Sequence, residues 1–538
     1  MSGSGALLEV VWSRLIAAAD EQAAALMRTS FTPIVRDSGD LSAAVFDVRG
    51  RMLAQAVTGT PGHINSLAAS MRHLLAAHPE PEPGDVLITN DPWLSSGQLN
   101  DFTIVTAVHL GERLVGFVGS TCHALDIGGR GLSADAAEVY EEGLRVPPMR
   151  LYAAGRENAD LLALIEANVR SPELVLGDVH AQVVGNEVGA TRVRELIEEL
   201  DLGDLAAVSD EVTGRSERRL REAIAQLPDG VCRAELESDG LETPVRVCCA
   251  VEVSGDRLVV DYEGSSPQSA RGINVVLNYT EAYTTYAVKC ALAPDVPHND
   301  GTFRPIEVRA PEGSILNARF PAAVAARHVV GQFLPFAVIE ALSRVAPAAA
   351  MAHGSGNVWL TTVRGSGAEG RFVSVSFASG GMGARPDRDG LSTTSFPSGI
   401  ATTPVEVIES TSPLVVEEKA LRPDSGGRGR HRGGLGQRIR ISVRGGEDWI
   451  VSCLADRLRH PAPGAAGGGT GAPGGFSIGG EAIAEPKLSH TVEAGQEVVL
   501  DLPGGGGFGP PAERPSALAE DDLAQGMVTG GAGEGNRA

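Results

Sequence analysis

The chain has 538 residues, of which 43% are apolar and 21% are charged, a composition typical of globular proteins with room for about two to four domains. Its formal net charge of −23 argues against nucleic acid or an anionic membrane as a partner, because neither attracts an acidic surface. No apolar run reaches the roughly 18 residues of a membrane span, and no basic segment precedes an apolar core at the start. The sequence therefore predicts a cytoplasmic protein.

The first hundred residues predict helices and a hairpin. Residues 7–29 repeat apolar positions at helical spacing, which indicates a long amphipathic helix. Residues 43–54 read as a β-hairpin, and a second helix is expected after the segment GHINS. Either Asn65 or Ser66 is expected to cap that helix at its N-terminus.

Residues 90–129 form the strongest local pattern in the chain. The segments FTIVTAVHL and LVGFVGSTC are rich in β-branched and aromatic residues and are apolar on both faces, as for strands buried on both sides. Residues 111–113 can close a hairpin between them. We therefore predict a buried antiparallel pair of strands with polar loops at its open end.

The register of this hairpin predicts which polar residues meet. With the turn centred between the strands, Asp101 faces His123, and Gln98 comes near Asp126. Directly opposed residues place their Cβ atoms about 4.5–5.5 Å apart, which suits two ligands of one metal ion. The spacing fits a surface ion pair or a simple hydrogen bond equally well, so both interpretations stay open.

Helical patterns fill residues 130–230, and alternating strands of an antiparallel meander follow at 230–262. Residues 332–346 predict another apolar helix. Glycine-rich stretches recur from position 353 onward, but none matches the phosphate-binding pattern GxxxxGK[ST]. We interpret them as loops and turns in which glycine supplies positive φ, joining the strands of a β-rich half.

The sequence as a whole predicts an α+β, mixed multi-domain fold. The predicted segments are an N-terminal α/β region with the candidate site (1–130), a mainly helical segment (131–230), a β meander plus helix (231–350), a glycine-rich, β-rich region (351–511) and a disordered tail (512–538).

The six cysteines are scattered and contain no CxxC pair: Cys122, Cys232, Cys248, Cys249, Cys290 and Cys453. Reduced, buried thiols are the default for such a pattern. Cys122 adjoins His123, so a role as a soft metal ligand or nucleophile is the alternative to a small buried residue.

Several blocks, in the same order along the chain, resemble the hydantoinase B/oxoprolinase family, which includes N-methylhydantoinase B, the C-terminal part of 5-oxoprolinase and the acetone carboxylase alpha subunits. NDPWLSSGQLND and HALDIGG stand where the family has NDPYxGGTHLPD and HHADxGG. EVYEEGLRVPPMRLY and HNDGTFRPIEV are similar to EIYQEGLRIPPVKL and VNDGCFRPVEV. With the glycine-rich block RPDSGGRGRHRGGLG and the ending PGGGGFG, the resemblance covers about residues 7–511.

The resemblance implies a divalent metal site, because the His and Asp of HLPD and a later His bind metal in that family. Carried over, the ligands fall on Gln98, Asp101 and His123. Here Gln98 replaces the first histidine, and Cys122 replaces the first residue of the HH pair. The implied ion is Mn, Zn or Fe, with weak or absent binding as the alternative because of Gln98.

The resemblance also implies further residues of the pocket. The implied catalytic residues are Asp126, His63 and Asp40. The implied substrate-binding residues are Asn90, Asp91 and Cys122. Asp126 is expected to support the metal ligands or to act as a base, and a structural capping role for His63 stays open.

Members of this family work with a larger A-type subunit of actin-like fold that hydrolyses ATP and activates the substrate. The resemblance therefore predicts a B-type subunit of an ATP-dependent cyclic amide hydrolase, in a hetero-oligomer, with ATP used by the partner and a small molecule as substrate. The alternatives are the alpha subunit of an acetone- or acetophenone-type carboxylase and a scaffold subunit with a degenerate site.

Overall fold

The computed structural model describes residues 2–367, 370–445 and 447–529. Helices and several separate sheets alternate along this part of the chain, which confirms the predicted α+β class.

The chain forms two compact units rather than the five predicted segments. Unit 1 comprises residues 1–235 and 247–341, and unit 2 comprises residues 236–246 and 342–538. The predicted helical segment is no separate body, because its longest helix packs on the first sheet of unit 1.

The helices are α1 (Ser2–Thr29), α2 (Pro33–Arg36), α3 (Pro61–Ala77), α4 (Ala159–Asn168), α5 (Pro172–Glu199), α6 (Ala206–Ile224), α7 (Leu277–Leu292), α8 (His328–Gly331), α9 (Leu334–Leu342), α10 (Val405–Thr411) and α11 (Ser516–Ala524). Among the described residues, none of these helices has both the length and the apolar character needed to cross a membrane.

The strands are β1 (Leu41–Phe46), β2 (Met52–Gln55), β3 (Val86–Thr89), β4 (Asp101–Leu110), β5 (Arg113–His123), β6 (Met149–Ala153), β7 (Arg156–Glu157), β8 (Gly230–Ser238), β9 (Val245–Ser254), β10 (Arg257–Asp261), β11 (Ile306–Arg309), β12 (Trp359–Gly367), β13 (Gly370–Ala378), β14 (Leu414–Leu421), β15 (Gln437–Val443), β16 (Trp449–Cys453), β17 (Gly475–Ile478), β18 (Glu481–Ala482), β19 (His490–Val492) and β20 (Val498–Asp501).

The first sheet of unit 1 has seven strands in the order β2-β1-β5-β4-β3-β6-β7. Alternate residues of β1 enter different apolar clusters: Ala43 and Val45 join α1 and α5, whereas Ala44 and Phe46 join α3. This alternation follows from the two-residue period of a strand. The sheet is therefore covered by helices on both faces, as the apolar pattern of β4 and β5 predicts.

The predicted hairpin register is confirmed. In the antiparallel pair β4 and β5, Asp101 stands opposite His123, and the pairing continues to the turn with one irregularity between Val108 and His109. Gly111 turns the chain with φ of 59°. The polar ends of both strands thus lie side by side at one edge of the hairpin.

Helix α3 begins earlier than the sequence predicts. Thr60 is its N-cap, with its side chain accepting a hydrogen bond from the backbone N–H of His63. Pro61 follows at the first helical position, where its fixed φ favours the helix and its missing N–H costs nothing. The prediction that Asn65 or Ser66 caps this helix is therefore wrong, since both lie inside it.

A second sheet has the order β11-β10-β9-β8. Strands β8 to β10 form the predicted meander, and β11 pairs in parallel with β10. In unit 2, one sheet has the order β13-β12-β16-β19 and the other has the order β14-β15-β20-β17-β18. An apolar cluster that includes Trp359, Trp449 and Phe476 draws residues from both of these sheets.

The glycine-rich stretches of unit 2 are loops, as predicted, and Gly467 and Gly509 have the positive φ expected of turns, but a second set of these glycines has a different role. None of the glycines from Gly504 to Gly507 has positive φ. Instead, extended segments pair backbone to backbone: Gly427 N–H donates to Gly505 O at 2.8 Å, and Gly505 N–H donates to Gly434 O at 3.0 Å. A Cβ atom on Gly505 would overlap the carbonyl oxygen of Met382. Glycine is needed here for close approach rather than for turning.

The predicted disorder of residues 512–538 is wrong for the part that the structure describes. Helix α11 lies within it, and Asp522 is buried beside Arg432 and Arg514. The ion pairs Arg432–Asp522 and Asp389–Arg514 tie the segment to the preceding chain of unit 2, a constraint that its Ala-, Gly- and Glu-rich composition does not reveal. Residues 530–538 lie outside the described residues.

Candidate active site

The candidate site begins at the polar ends of β4 and β5. His123 Nδ1 lies 3.0 Å from Asp101 Oδ1. The amide nitrogen of Gln98 lies 2.7 Å from the same oxygen and 2.9 Å from His123 Nδ1. All three side chains are buried. The structure thus brings together the three residues that the family resemblance names as metal ligands.

Helix α3 and the chain just before β1 add a second histidine and a second carboxylate. His63 Nε2 lies 3.0 Å from Asp101 Oδ2, and its Nδ1 lies 3.4 Å from Asp40 Oδ1. The other oxygen of Asp40 lies 3.8 Å from His123 Nδ1. Two carboxylates, two imidazoles and the Gln98 amide therefore form one continuous cluster, which we call the centre (Asp40, His63, Gln98, Asp101 and His123).

Two further residues contact Asp101 that sequence reasoning missed. Ser96 Oγ and Arg327 Nη2 each donate to Asp101 Oδ2 at 2.6 Å. The signals were present but weak: Ser96 stands inside the family-like loop SSGQLND, and Arg327 ends the family-like stretch PAAVAAR. Neither segment shows by itself that it meets Asp101.

The charges of the centre support one another. Burial alone would raise the pKa of Asp101, but the charges of His63 and Arg327 outweigh it and hold the pKa well below the ordinary value. Burial likewise opposes the charged form of His63, yet the carboxylates of Asp101 and Asp40 raise its pKa. The centre therefore favours an ionised Asp101 beside a protonated His63.

His328 is a neutral neighbour of the centre. Burial, with added repulsion from Arg327 and His123, lowers its pKa to about 3. Its Nε2 atom is buried and has no hydrogen-bond partner among the described residues, and the same is true of His123 Nε2. Unpaired buried nitrogens of this kind are costly unless a ligand or water meets them.

Two other predicted pocket residues, Asp126 and Asn90, form hydrogen bonds that fix the neighbouring loops. Asp126 accepts from the side chain of Arg170 at 2.7 Å and from Gly128 N–H at 3.2 Å, and none of its hydrogen bonds in the described residues goes to Gln98. Asn90 binds backbone atoms of residues 99, 144 and 146 and so fixes the loop before β4. Because these partners are all backbone atoms, Asn90 has a structural role in this loop.

Asp91 and Cys122 also lie in supporting positions. Asp91 Oδ1 accepts from Trp93 N–H at 3.1 Å and caps the turn that leads to the centre. Cys122 belongs to the apolar cluster beneath the sheet, on the strand face opposite to that of His123. Burial raises the pKa of the Cys122 thiol well above its ordinary value, which disfavours the thiolate that a nucleophile or metal ligand requires.

The donor groups at the hairpin end fit a metal ion on one condition. Asp101 Oδ1, His123 Nδ1 and the Gln98 amide are separated by 2.7, 2.9 and 3.0 Å. Neighbouring ligands of an octahedral ion with bonds of about 2.1 Å stand about 3.0 Å apart. Half a turn of the Gln98 amide presents its oxygen to the same two atoms. The residues then fit one divalent ion.

The fit depends on that amide. Within the described residues, no group of three or more His, Cys, Asp or Glu side chains is arranged to hold a metal ion. Asp101 and His123 are two donors of these types at the hairpin end, and Gln98 would be the third donor there. A neutral amide oxygen is a weaker donor to transition metals than imidazole.

Comparison with known proteins identifies the class. The sequence profile of the hydantoinase B/oxoprolinase family matches residues 5–511. A protein of Pseudomonas sp. (strain NS671), provisionally named as the B-type subunit of a D-/L-hydantoinase, is 32% identical over 551 residues, which cover 97% of this chain and 93% of that protein. The chain therefore belongs to the hydantoinase B/oxoprolinase family.

Solved structures share the fold. The crystal structure of the ATP-dependent caprolactamase from Pseudomonas jessenii matches with a TM-score of 0.88 and 26% identity, covering 98% of this chain and 94% of that chain. The nucleotide-free structure of acetone carboxylase matches with a TM-score of 0.84 and 19% identity, covering 98% of this chain and 78% of that chain. At that identity the second likeness concerns the fold alone.

Proposed function

We propose that this chain is the B-type subunit of a cyclic amide hydrolase that acts together with an A-type, ATP-hydrolysing subunit. The observation that carries the proposal is the buried centre, in which Asp101 joins His123, Gln98 and His63 within 3.0 Å. Similarity to the B-type subunit of a hydantoinase and to an ATP-dependent caprolactamase favours amide ring opening as the reaction.

Asp101, His123 and Gln98 are the proposed ligands of a divalent ion (Mn, Zn or Fe). When bound, such an ion polarises a carbonyl group or lowers the pKa of a water molecule. Arg327 keeps the second oxygen of Asp101 occupied, so the carboxylate offers Oδ1 to the ligand set. The ion is thus proposed for the side of Asp101 that faces His123.

His63 and Asp40 are the proposed proton carriers. The two carboxylates beside His63 favour its protonated form, which can give a proton to the amine released when the ring opens. Asp40 lies 3.4 Å from His63 Nδ1 and can hold that ring in place while it changes charge. Asp126 has a supporting role, since its bonds to Arg170 fix the loop after β5.

The proposal assigns ATP to the partner subunit. No segment of the sequence has the pattern of a phosphate-binding loop with its lysine. We therefore expect the isolated chain to bind no ATP in calorimetry. A micromolar affinity for ATP on this chain alone would contradict the division of labour between the subunits.

An activity screen of the complex with its A-type partner tests the function. The complex is supplied with ATP and with hydantoin, 5-oxoproline, caprolactam or acetone plus bicarbonate. We expect ATP-dependent ring opening of at least one cyclic amide. If acetone with bicarbonate were the only substrate turned over, the carboxylase alternative would be favoured instead. Its present support is the shared fold. A complex that is inactive and contains no metal would favour the scaffold.

A further inference from the structure

The guanidinium of Arg327 bonds to two points on the loop that carries Gln98. Its Nε atom donates to the carbonyl oxygen of Ser96 at 2.5 Å, and its Nη2 atom donates to Asp101 Oδ2 at 2.6 Å. The side chain is 3% exposed. Because the donors of a guanidinium have a fixed relative geometry, one side chain sets the distance between the start and the end of this loop.

The site around Arg327 is shaped for it. The guanidinium carbon lies 4.1 Å from the centre of the Tyr279 ring, a cation–π distance. Gly97 has φ of 91°, and a Cβ atom there would lie 2.7 Å from Arg327 Cδ. A Cβ atom on Gly62 would lie 2.5 Å from the Tyr279 ring, and one on Gly331 would overlap it.

These contacts come from separate parts of unit 1. Gly62 precedes His63 in α3, Tyr279 lies in α7, and Gly331 ends α8 just after Arg327. Gly62 and Gly331 leave room for the Tyr279 ring, and that ring packs on the guanidinium of Arg327. Close packing from three segments therefore fixes the ring on which the guanidinium of Arg327 lies, and Gly97 leaves room for the Arg327 side chain itself.

We propose that Arg327 is a positioning residue that clamps the Ser96–Asp101 loop, so that Asp101 and Gln98 meet His123 in the orientation the centre requires. The clamp consists of two bonds from one planar group, and lysine cannot reproduce both. Its effect on turnover rests on the proposed hydrolase function. Its effect on the loop geometry does not.

Three variants of the complex test the clamp. Arg327→Met removes both bonds, Arg327→Lys keeps the charge, and Gly97→Ala leaves Arg327 in the chain but pushes a methyl group against it. Loss of a group that orients a metal ligand costs about 10–100-fold in activity or metal affinity. We expect kcat to fall by that factor in Arg327→Met and Gly97→Ala with KM nearly unchanged, and to recover only in part in Arg327→Lys.

A control variant is Arg304→Met, which removes an arginine of unit 1 paired with Asp300 and Glu217 instead of with the centre. Its kcat should equal that of the wild type. Wild-type kcat in Arg327→Met would overturn the proposal. If that variant does not fold, full activity in Gly97→Ala or full recovery in Arg327→Lys would overturn it.

Crystal structures of the wild type and of Arg327→Lys separate this proposal from the proposed function. If the wild-type complex opens no cyclic amide, the proposed hydrolase function is wrong. The clamp is then still tested by the position of the Ser96–Asp101 loop in the two crystal structures. A Ser96–Asp101 loop displaced in the variant, with Asp101 Oδ1 moved from His123, supports the clamp. A loop that superposes on the wild type overturns it.

Discussion

The centre of unit 1 and the glycine-rich segments of unit 2 both bury polar groups away from water, but they satisfy them in opposite ways. In the centre, polar side chains from distant segments bond around Asp101. In the glycine-rich segments, backbone groups such as Gly427 N–H and Gly505 O pair directly, with no side chain between them. The first arrangement needs particular side chains, and the second needs none at all.

This difference predicts opposite sensitivities. Removing a side chain from the centre leaves a buried charge without its partner, which costs more than the bond itself contributed. Adding one methyl group to the glycine-rich segments forces backbone strands apart, because the atoms in contact are main-chain atoms that cannot rotate away. Substitutions in the centre should therefore act mainly on activity, and substitutions in the glycine-rich segments should act mainly on stability.

The largest expected effect is on turnover. Asp101→Ala and His123→Ala should each lower kcat of the complex by about 1,000-fold or more, because each removes a proposed metal ligand. Turnover per folded protein, with circular dichroism as the measure of folding, checks this. His180→Ala, which removes an exposed histidine paired with Glu157, is the control. Wild-type turnover in both site variants would show that the centre is not the site of chemistry.

The next effect concerns the stability of unit 2. Gly505→Ala places a methyl group against the Met382 carbonyl, and we expect a loss of more than about 3 kcal/mol in the free energy of unfolding. Gly475→Ala is the matched control, since its new methyl group would meet only the Asp501 side chain, at ordinary distances of 3.6 and 4.0 Å. Denaturant unfolding compares the two variants. Equal stability would refute the packing argument.

Glu142 is a buried acidic side chain, like those of the centre, but its hydrogen bonds are to backbone groups, like those of the glycine-rich segments. One of its oxygens accepts from the backbone N–H groups of Val324 and Ala325, at 2.7 and 2.8 Å, just before Arg327. Its other oxygen is buried and has no hydrogen-bond partner among the described residues. Burial, with a smaller contribution from Glu141, raises the pKa of Glu142 to about 8, against the opposing effect of the two N–H groups.

This raised pKa makes stability fall as pH rises. Below the unfolded pKa of 4.5 both states are protonated and the contribution is complete, and it is lost as pH rises through the folded value of about 8. Between about pH 6 and pH 8 the loss should approach 2–3 kcal/mol. In Glu142→Gln, which stays neutral, this part of the decline should disappear. Parallel stability curves for the two proteins would contradict the assignment.

The smallest expected effect is on metal affinity. Gln98→His replaces a neutral amide with an imidazole. The variant should bind metal about 10–100-fold more tightly and should therefore show a higher metal occupancy. Metal content measured by plasma mass spectrometry, on wild type and variant purified identically, checks this. Full occupancy in the wild type, unchanged in the variant, would show that the Gln98 amide is an adequate ligand or that another group replaces it.

The extent to which sequence predicts structure also differs between the two regions. The hairpin register that opposes Asp101 to His123 follows from a short turn and two-residue alternation. The same local reasoning placed the start of α3 too late, because the helix is capped by Thr60 and begins at Pro61, before the segment in which the cap was predicted. It also assigned turns to glycines that the structure uses for close packing.

The sequence by itself predicted the β4–β5 hairpin with its register, the meander of β8 to β10 and several of the helices. Through resemblance, it also proposed Asp40, His63, Gln98, Asp101 and His123 as residues of one pocket. Only the tertiary structure decided that Arg327, 226 residues from Asp101, completes their bonds. It alone also paired the glycine-rich segments. The physical reason is range: local pattern fixes backbone geometry within an element, whereas contacts between distant segments depend on packing that no single segment encodes.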